Sequence, residues 1–97
     1  MNQVLAQAVR DHRVVTFRYR GLARTVEPHI YGINTLGHEA LSAYQIAGFS
    51  RSSDRHGWRM FLVSDIEDLV VQDKTFRRTR EDYNPNDPNI PQIFARA

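Results

Sequence analysis

The 97-residue chain contains no cysteine. Disulfides, thiolate metal sites and cysteine nucleophiles are thereby excluded. It holds a single lysine, Lys74, among thirteen basic residues. It has no apolar run near the ~20 residues that a membrane-spanning helix needs. Met1-Asn2-Gln3-Val4 offers no basic stretch followed by an apolar one, so no signal peptide is expected. A glycine-rich phosphate loop is missing too: Gly48 to Gly57 has neither the spacing nor the lysine. These absences point to a cytoplasmic protein without a membrane partner.

What is present suits one small domain. Hydrophobic residues make up 41% and aromatics 10%, too much for a disordered chain. A chain this short buries only roughly 60–65% of its unfolded surface, so a partner or a docked tail would add useful burial. Net charge is +2 but the sequence pI is about 9.4, because nearly every cation is arginine. Arginine offers a permanent planar fork to phosphates and carboxylates. Much of it reads as ordinary solvated surface, but Arg18, Arg20 and Arg24, and again Arg77, Arg78 and Arg80, cluster as a polyanion contact would require.

Residues 2–12 read as an amphipathic helix with Val4, Leu5, Ala8 and Val9 on one face. Val14 to Arg20 alternates, with Val15, Phe17 and Tyr19 inward, and Gly21 turns the chain. A second strand runs from about Arg24 to Ile33. Thr25, Glu27, His29 and Tyr31 share one of its faces, Val26, Pro28 and Ile30 the other. Pro28 donates no ladder hydrogen bond, which implies an edge or a bulge there. Strands follow from about Glu39 to Ala47 and Trp58 to Val63, separated by the polar loop 48–57. Ser64 and Glu67 fit a capping box for one helical turn through Leu69. Leu69 to Asp73 is a closing strand. The expectation is a mainly β fold: a small five-stranded antiparallel barrel with an N-terminal α-helix and an extended C-terminal tail.

On this reading residues 1–75 form the helix and barrel, and 76–97 a tail that is not an independent domain. Phe76, Tyr83, Ile93 and Phe94 would anchor the tail, and Gln92 to Arg96 would make one helical turn. Pro85, Pro88 and Pro91 recur every third residue, which also matches a polyproline II ligand.

The series Val15-Thr16-Phe17-Arg18-Tyr19, Arg24-Thr25-Val26-Glu27-Pro28, Ala43-Tyr44, Phe61 and Ile66 resembles the WYL domain. So do Glu27-Pro28-His29, Tyr31-Gly32, Tyr44-Gln45 and Gly57-Trp58-Arg59, in short stand-alone bacterial forms without a helix-turn-helix. The likeness covers roughly residues 4–73 and, more loosely, the Tyr83 tail. It implies an Sm-like small barrel acting as a sensor. Such domains usually follow a helix-turn-helix in transcription regulators and bind a nucleotide or nucleic acid on a basic, aromatic-lined surface. In this chain the Trp-Tyr-Leu signature reads Glu39-Ala40-Leu41, and two family arginines fall on Leu62 and Asp65. Arg24 matches the arginine before Val-Glu-Pro, and Arg59 would stand in for a lost charge.

The ligand-binding candidates are Arg24, His29, Tyr31, Tyr44, Gln45, Trp58 and Arg59. Arg24 and Arg59 would hold phosphate or carboxylate, Tyr44 and Trp58 would stack on a base, and His29 and Gln45 would hydrogen-bond. The plainer reading makes Tyr44 and Trp58 core residues, since a small barrel needs large aromatics. Glu27 and His29 could be an acid–base pair or metal ligands. A structural network with Arg24 or Arg59 explains them better. The remaining histidines have no ligand spacing, and Ser50, Ser52 and Ser53 have no nucleophile setting. No catalytic residue, metal or cofactor is expected. The expected partner is a nucleotide or single-stranded nucleic acid. The alternative is a self-association or protein-interaction module that uses the barrel edge and tail.

Overall fold

The computed structural model describes residues 1–50 and 56–97. Half of the polar loop, including Ser52 and Ser53, lies outside the described residues. Helix α1 is Gln3–Arg10. It starts where the Asn2 side chain accepts the Leu5 N–H at 3.0 Å, satisfying one of the open donors of the first turn. Leu5, Ala6, Ala8 and Val9 are buried. That stripe is centred between Leu5 and Val9, so Val4 falls off its edge and is exposed.

Six strands follow: β1 (Arg13–Tyr19), β2 (Leu22–Ile33), β3 (Glu39–Gly48), β4 (Gly57–Leu62), β5 (Ile66–Thr75) and β6 (Gln92–Arg96). All pairings are antiparallel, in the order β4-β3-β2-β1-β5. β6 lies along the second half of β2, beyond the end of its β1 ladder. Arg20 and Gly21, both at positive φ (52° and 81°), make the two-residue β1–β2 hairpin, the twist that favours such turns. Among the described residues no helix is long and apolar enough to cross a membrane.

The fold is mainly β with one N-terminal helix, but three expectations need correction. The sheet has six strands rather than five, and among the described residues β4 and β5 share no ladder, so it curves without closing into a barrel. β5 carries two register irregularities against β1, and bulges commonly end pairing at a sheet edge. The C-terminal segment is strand β6 and not a helical turn: Gly32 has no side chain, which lets Gln92 and Ile90 come against β2. The turn after β4 is a 3₁₀ helix, Val63–Asp65, with no side-chain cap bond. Glu67 already sits in β5 opposite Arg18, so the capping box does not form.

β2 organises the rest. Its ladder with β3 slips twice. Ile46 is an extra residue in β3, and His29 is an extra residue in β2, between Pro28↔Ala43 and Ile30↔Ser42. A bulge therefore does follow Pro28. Each inserted residue reverses which side chains face which side. Before the bulge Val26 enters the core; after it, Tyr31 does. The core joins these to Leu5 and Val9 of the helix, Phe17 and Tyr19 of β1, Leu41 and Ala43 of β3, and Phe61 of β4.

The tail covers the other face. Phe76 is buried between the imidazoles of His12 (4.8 Å, 7°) and His29 (5.2 Å, 26°). Its N–H donates to the His12 carbonyl at 2.9 Å. Ile90 is fully buried. The Pro-Asn steps fold as turns in which Asn84 and Asp87 accept the Asn86 and Asn89 N–H groups. That is Asx chemistry in place of a polyproline helix.

Candidate functional site

The bulge decides which of the named residues meet. Glu27 and His29 face the tail. The Arg80 guanidinium grips Glu27 through two bonds, Nε–Oε1 at 2.6 Å and Nη2–Oε2 at 3.1 Å. His29 Nδ1 lies 2.8 Å from the Glu27 carbonyl, and Nε2 lies 3.1 Å from the Arg80 N–H. A carbonyl only accepts and an amide N–H only donates. His29 is therefore the neutral tautomer with its proton on Nδ1. Burial, above all, holds its pKa below the usual histidine value, against the opposing pull of Glu27. The bond to Glu27, first, raises the Arg80 pKa.

Aromatic rings surround this pair. Trp58 meets His29 edge-on at 4.8 Å, and Tyr44 meets Trp58 at 5.7 Å and 87°. The Arg80 guanidinium carbon lies 4.6 Å from the centre of the Tyr44 ring. Tyr83 reaches back over the sheet, 5.2 Å from His29. It runs 14° from parallel to Trp58, with ring centroids 6.4 Å apart. Both rings are pinned at their polar ends. Trp58 Nε1 donates to the Glu81 carbonyl at 3.0 Å, and the Tyr83 hydroxyl donates to the Ala97 carbonyl at 3.2 Å.

Trp58 and Tyr83 line one cleft of about 270 Å³, together with Ile30, Ser42, Asp82, Asn84 and Asp87. A recess of about 190 Å³ shares Ser42, Trp58 and Asp87 with it. A broader groove of about 590 Å³ runs over the tail from Thr75 to Glu81 and includes Arg77 and Arg78.

Of the seven candidates, His29, Tyr44 and Trp58 come together on the tail face. The other four lie elsewhere. Arg24 is buried on the core side, its guanidinium 5.6 Å from the ring centres of both Tyr19 and Phe61, and Nη1 donates to Gln45 Oε1 at 3.1 Å. Gln45 is fully buried and also donates to the Phe49 carbonyl. Tyr31 is turned into the core by the bulge; its hydroxyl donates to Glu39 and accepts the Asn2 N–H. Arg59 sits on β4 opposite Ala43, with Nη1 3.0 Å from the Trp58 carbonyl. The bulge thus does not unite Arg24 with His29. The network around Glu27 and His29 is built by Arg80, not by Arg24 or Arg59.

Tyr83, Arg80, Ser42, Asp82 and Asp87 are the residues that pattern reading missed. Tyr83 stood out only as an anchor and Arg80 only as part of a basic run. Among the described residues no group of three or more His, Asp or Glu side chains is placed to hold a metal ion.

Two comparisons found nothing: no curated protein and no solved structure matches. A protein-family model described as the WYL domain matches residues 1–71. That span carries Ile30, Ser42 and Trp58 but ends before Asp82, Tyr83, Asn84 and Asp87, so one wall of the cleft is domain and the other is tail. The match covers well over half of the chain, which therefore belongs to the WYL domain family.

Proposed function

We propose that this protein is a non-enzymatic sensor module that binds a nucleotide or short nucleic-acid strand by its base, between Trp58 and Tyr83. The observation that carries the reading is the pair of near-parallel rings, 6.4 Å apart, on the walls of one cleft. A flat ring held between two others needs about 7 Å between the outer pair, so a small parting of Tyr83 admits one. Stacking on each aromatic is worth about 1–3 kcal/mol per base. WYL domains as a class are regulatory ligand sensors, which supports the sensing part of the proposal. Arg77 and Arg78 are exposed in the neighbouring groove, where phosphates of a strand can reach cations.

The test uses Trp58, the sole tryptophan. Its emission should change saturably when the full chain is titrated with nucleosides, nucleotides and short single strands. Tyr83→Ala should weaken that response by about tenfold or more, the equivalent of one lost stacking contact. Affinity for strands, but not for nucleosides, should fall steeply with salt. A panel that leaves the emission unmoved would overturn the proposal.

A second reading has its own observation. The outer edges of β4 and β5 are both unpaired among the described residues, and open edges template strand pairing between chains. Self-association through them would appear in sedimentation as a concentration-dependent oligomer. A strict monomer at high concentration would exclude it.

A further inference from the structure

We infer that the cleft between Trp58 and Tyr83 selects its ligand by N–H donors, and that guanine is the base it fits. This rests on the base-binding reading above.

The polar lining of the cleft is the evidence. Asp82 and Asp87 are carboxylates, which only accept hydrogen bonds when ionised. Asp87 uses one oxygen on the Asn89 N–H at 2.9 Å, leaving the other. Among the described residues Asp82 has no ion pair and no side-chain hydrogen bond. Asn84 already gives its oxygen to the Asn86 N–H. Ser42 is the most telling group. It is only 8% exposed and lies on the cleft wall, yet its hydroxyl has no hydrogen-bond partner among the described residues. Its oxygen is open to the cleft, so a ligand atom there can pair with it as donor or acceptor.

Among the described residues neither lysine nor arginine lines this cleft. A phosphate would meet carboxylates there, so the base enters first and any phosphate stays outside. Guanine carries a ring N–H and an amino group side by side, two parallel donors that match one carboxylate in a bidentate, charge-assisted pair. Adenine and cytosine each place a ring acceptor beside the amino group, and that lone pair would face the carboxylate. Uracil has one N–H between two carbonyls. Only the guanine edge presents two adjacent donors.

The experiment is Trp58 emission of the full chain titrated with guanosine, inosine (which lacks the amino group), adenosine and guanosine monophosphate. Guanosine should bind about tenfold or more tighter than inosine or adenosine, the usual discrimination of a bidentate pair. Its monophosphate should bind no tighter than guanosine. The double variant Asp82→Asn, Asp87→Asn keeps the oxygen that holds the Asn89 N–H. It should lose most of the guanosine preference, and adenosine should bind at least as tightly as before because the amide gives the adenine ring nitrogen a donor, with folding checked by thermal melting. Equal affinities across the nucleosides, or a preference that survives in the double variant, would overturn guanine selection and leave base binding standing. If no nucleoside moves the emission, both readings fall together.

Discussion

The polar stretch of β2 has two ends, and they are held in different ways. At one end Arg24 sits within the sheet body, against Tyr19, Phe61 and Gln45. At the other, Glu27 and His29 take their side-chain partners from the tail: Arg80 for the carboxylate, the Arg80 N–H and Phe76 for the imidazole. The first end depends on contacts that exist only while the whole sheet is folded. The second depends on contacts that a shift of residues 76–84 would break locally. A groove that admits a ligand is easier to build at the second kind of place, where opening does not require global unfolding.

The largest expected effect falls on the body. Phe61→Ala removes a ring that packs edge-on against Phe17 (5.0 Å) and Tyr19 (4.9 Å) and lies under Arg24. Large-to-small core substitutions of this type cost about 3–5 kcal/mol. Denaturant unfolding should show the loss across the whole chain. A cost under about 1 kcal/mol would mean that the aromatic cluster is not what holds the sheet together.

Arg80→Ala comes next. Glu27 would be left as a nearly buried carboxylate, its side chain 7% exposed, without its only ion-pair partner among the described residues. Removing one member of a fully buried pair costs about 3–5 kcal/mol. The Arg80 side chain is 41% exposed, so water can reach the site and about 2 kcal/mol is the better figure. Hydrogen exchange should show the loss mainly at Tyr83, Ile90 and Ala97, with β1 and β3 protected as before. Equal loss in the body would erase the distinction between the two ends.

How far was this legible in the residues? The alternation of Val15, Phe17 and Tyr19 revealed β1, and the aromatic and histidine content pointed to Trp58, Tyr44 and His29. Tyr31 was assigned to the wrong face, because strict alternation carries Glu27, His29 and Tyr31 together. One inserted residue at His29 reverses that for everything after it. Pro28 signalled that a bulge was due but not which residue it would displace. β6 was unreadable for a different reason. Gln92 to Arg96 is too short for a period to show, and its strand character comes from a partner some sixty residues earlier, at Gly32. Asp82 and Asp87 look like turn residues, which they are; their place on a cleft wall is set by how the tail docks, which is tertiary information.

A smaller, pH-dependent effect sharpens the comparison at His29. Its folded pKa is depressed, chiefly by burial, so the native state binds the proton less readily than the unfolded state does. Stability from this group is complete above the ordinary histidine value of about 6.5. It is lost as pH falls below that value towards the folded pKa. The charged groups acting on His29 are Glu27, which favours protonation, and His12 and Arg80, which oppose it. Protonating Nε2 would turn a donor toward the Arg80 N–H and break that bond. Acidification should therefore raise hydrogen exchange at the Arg80 amide before it affects β1. His29→Gln should flatten the response. An Arg80 amide insensitive to pH between about 7 and 5 would show that His29 does not hold the tail.

The smallest expected change is in stability on Ser42→Ala. Most buried hydroxyls lose a hydrogen bond when truncated and cost about 1 kcal/mol. Ser42 lies opposite Met60 in the β3–β4 ladder and its hydroxyl has no partner among the described residues. Alanine keeps the Cβ and the strand, and removes an oxygen that none of the described residues uses. Thermal or denaturant unfolding should stay within about 0.5 kcal/mol of the parent or rise slightly. Arg24 and Glu27, buried polar groups with partners, would not behave this way. A loss above about 1 kcal/mol would show that the Ser42 hydroxyl is structural, like those two. Unchanged stability combined with weaker nucleoside binding would identify it as an oxygen kept for a ligand.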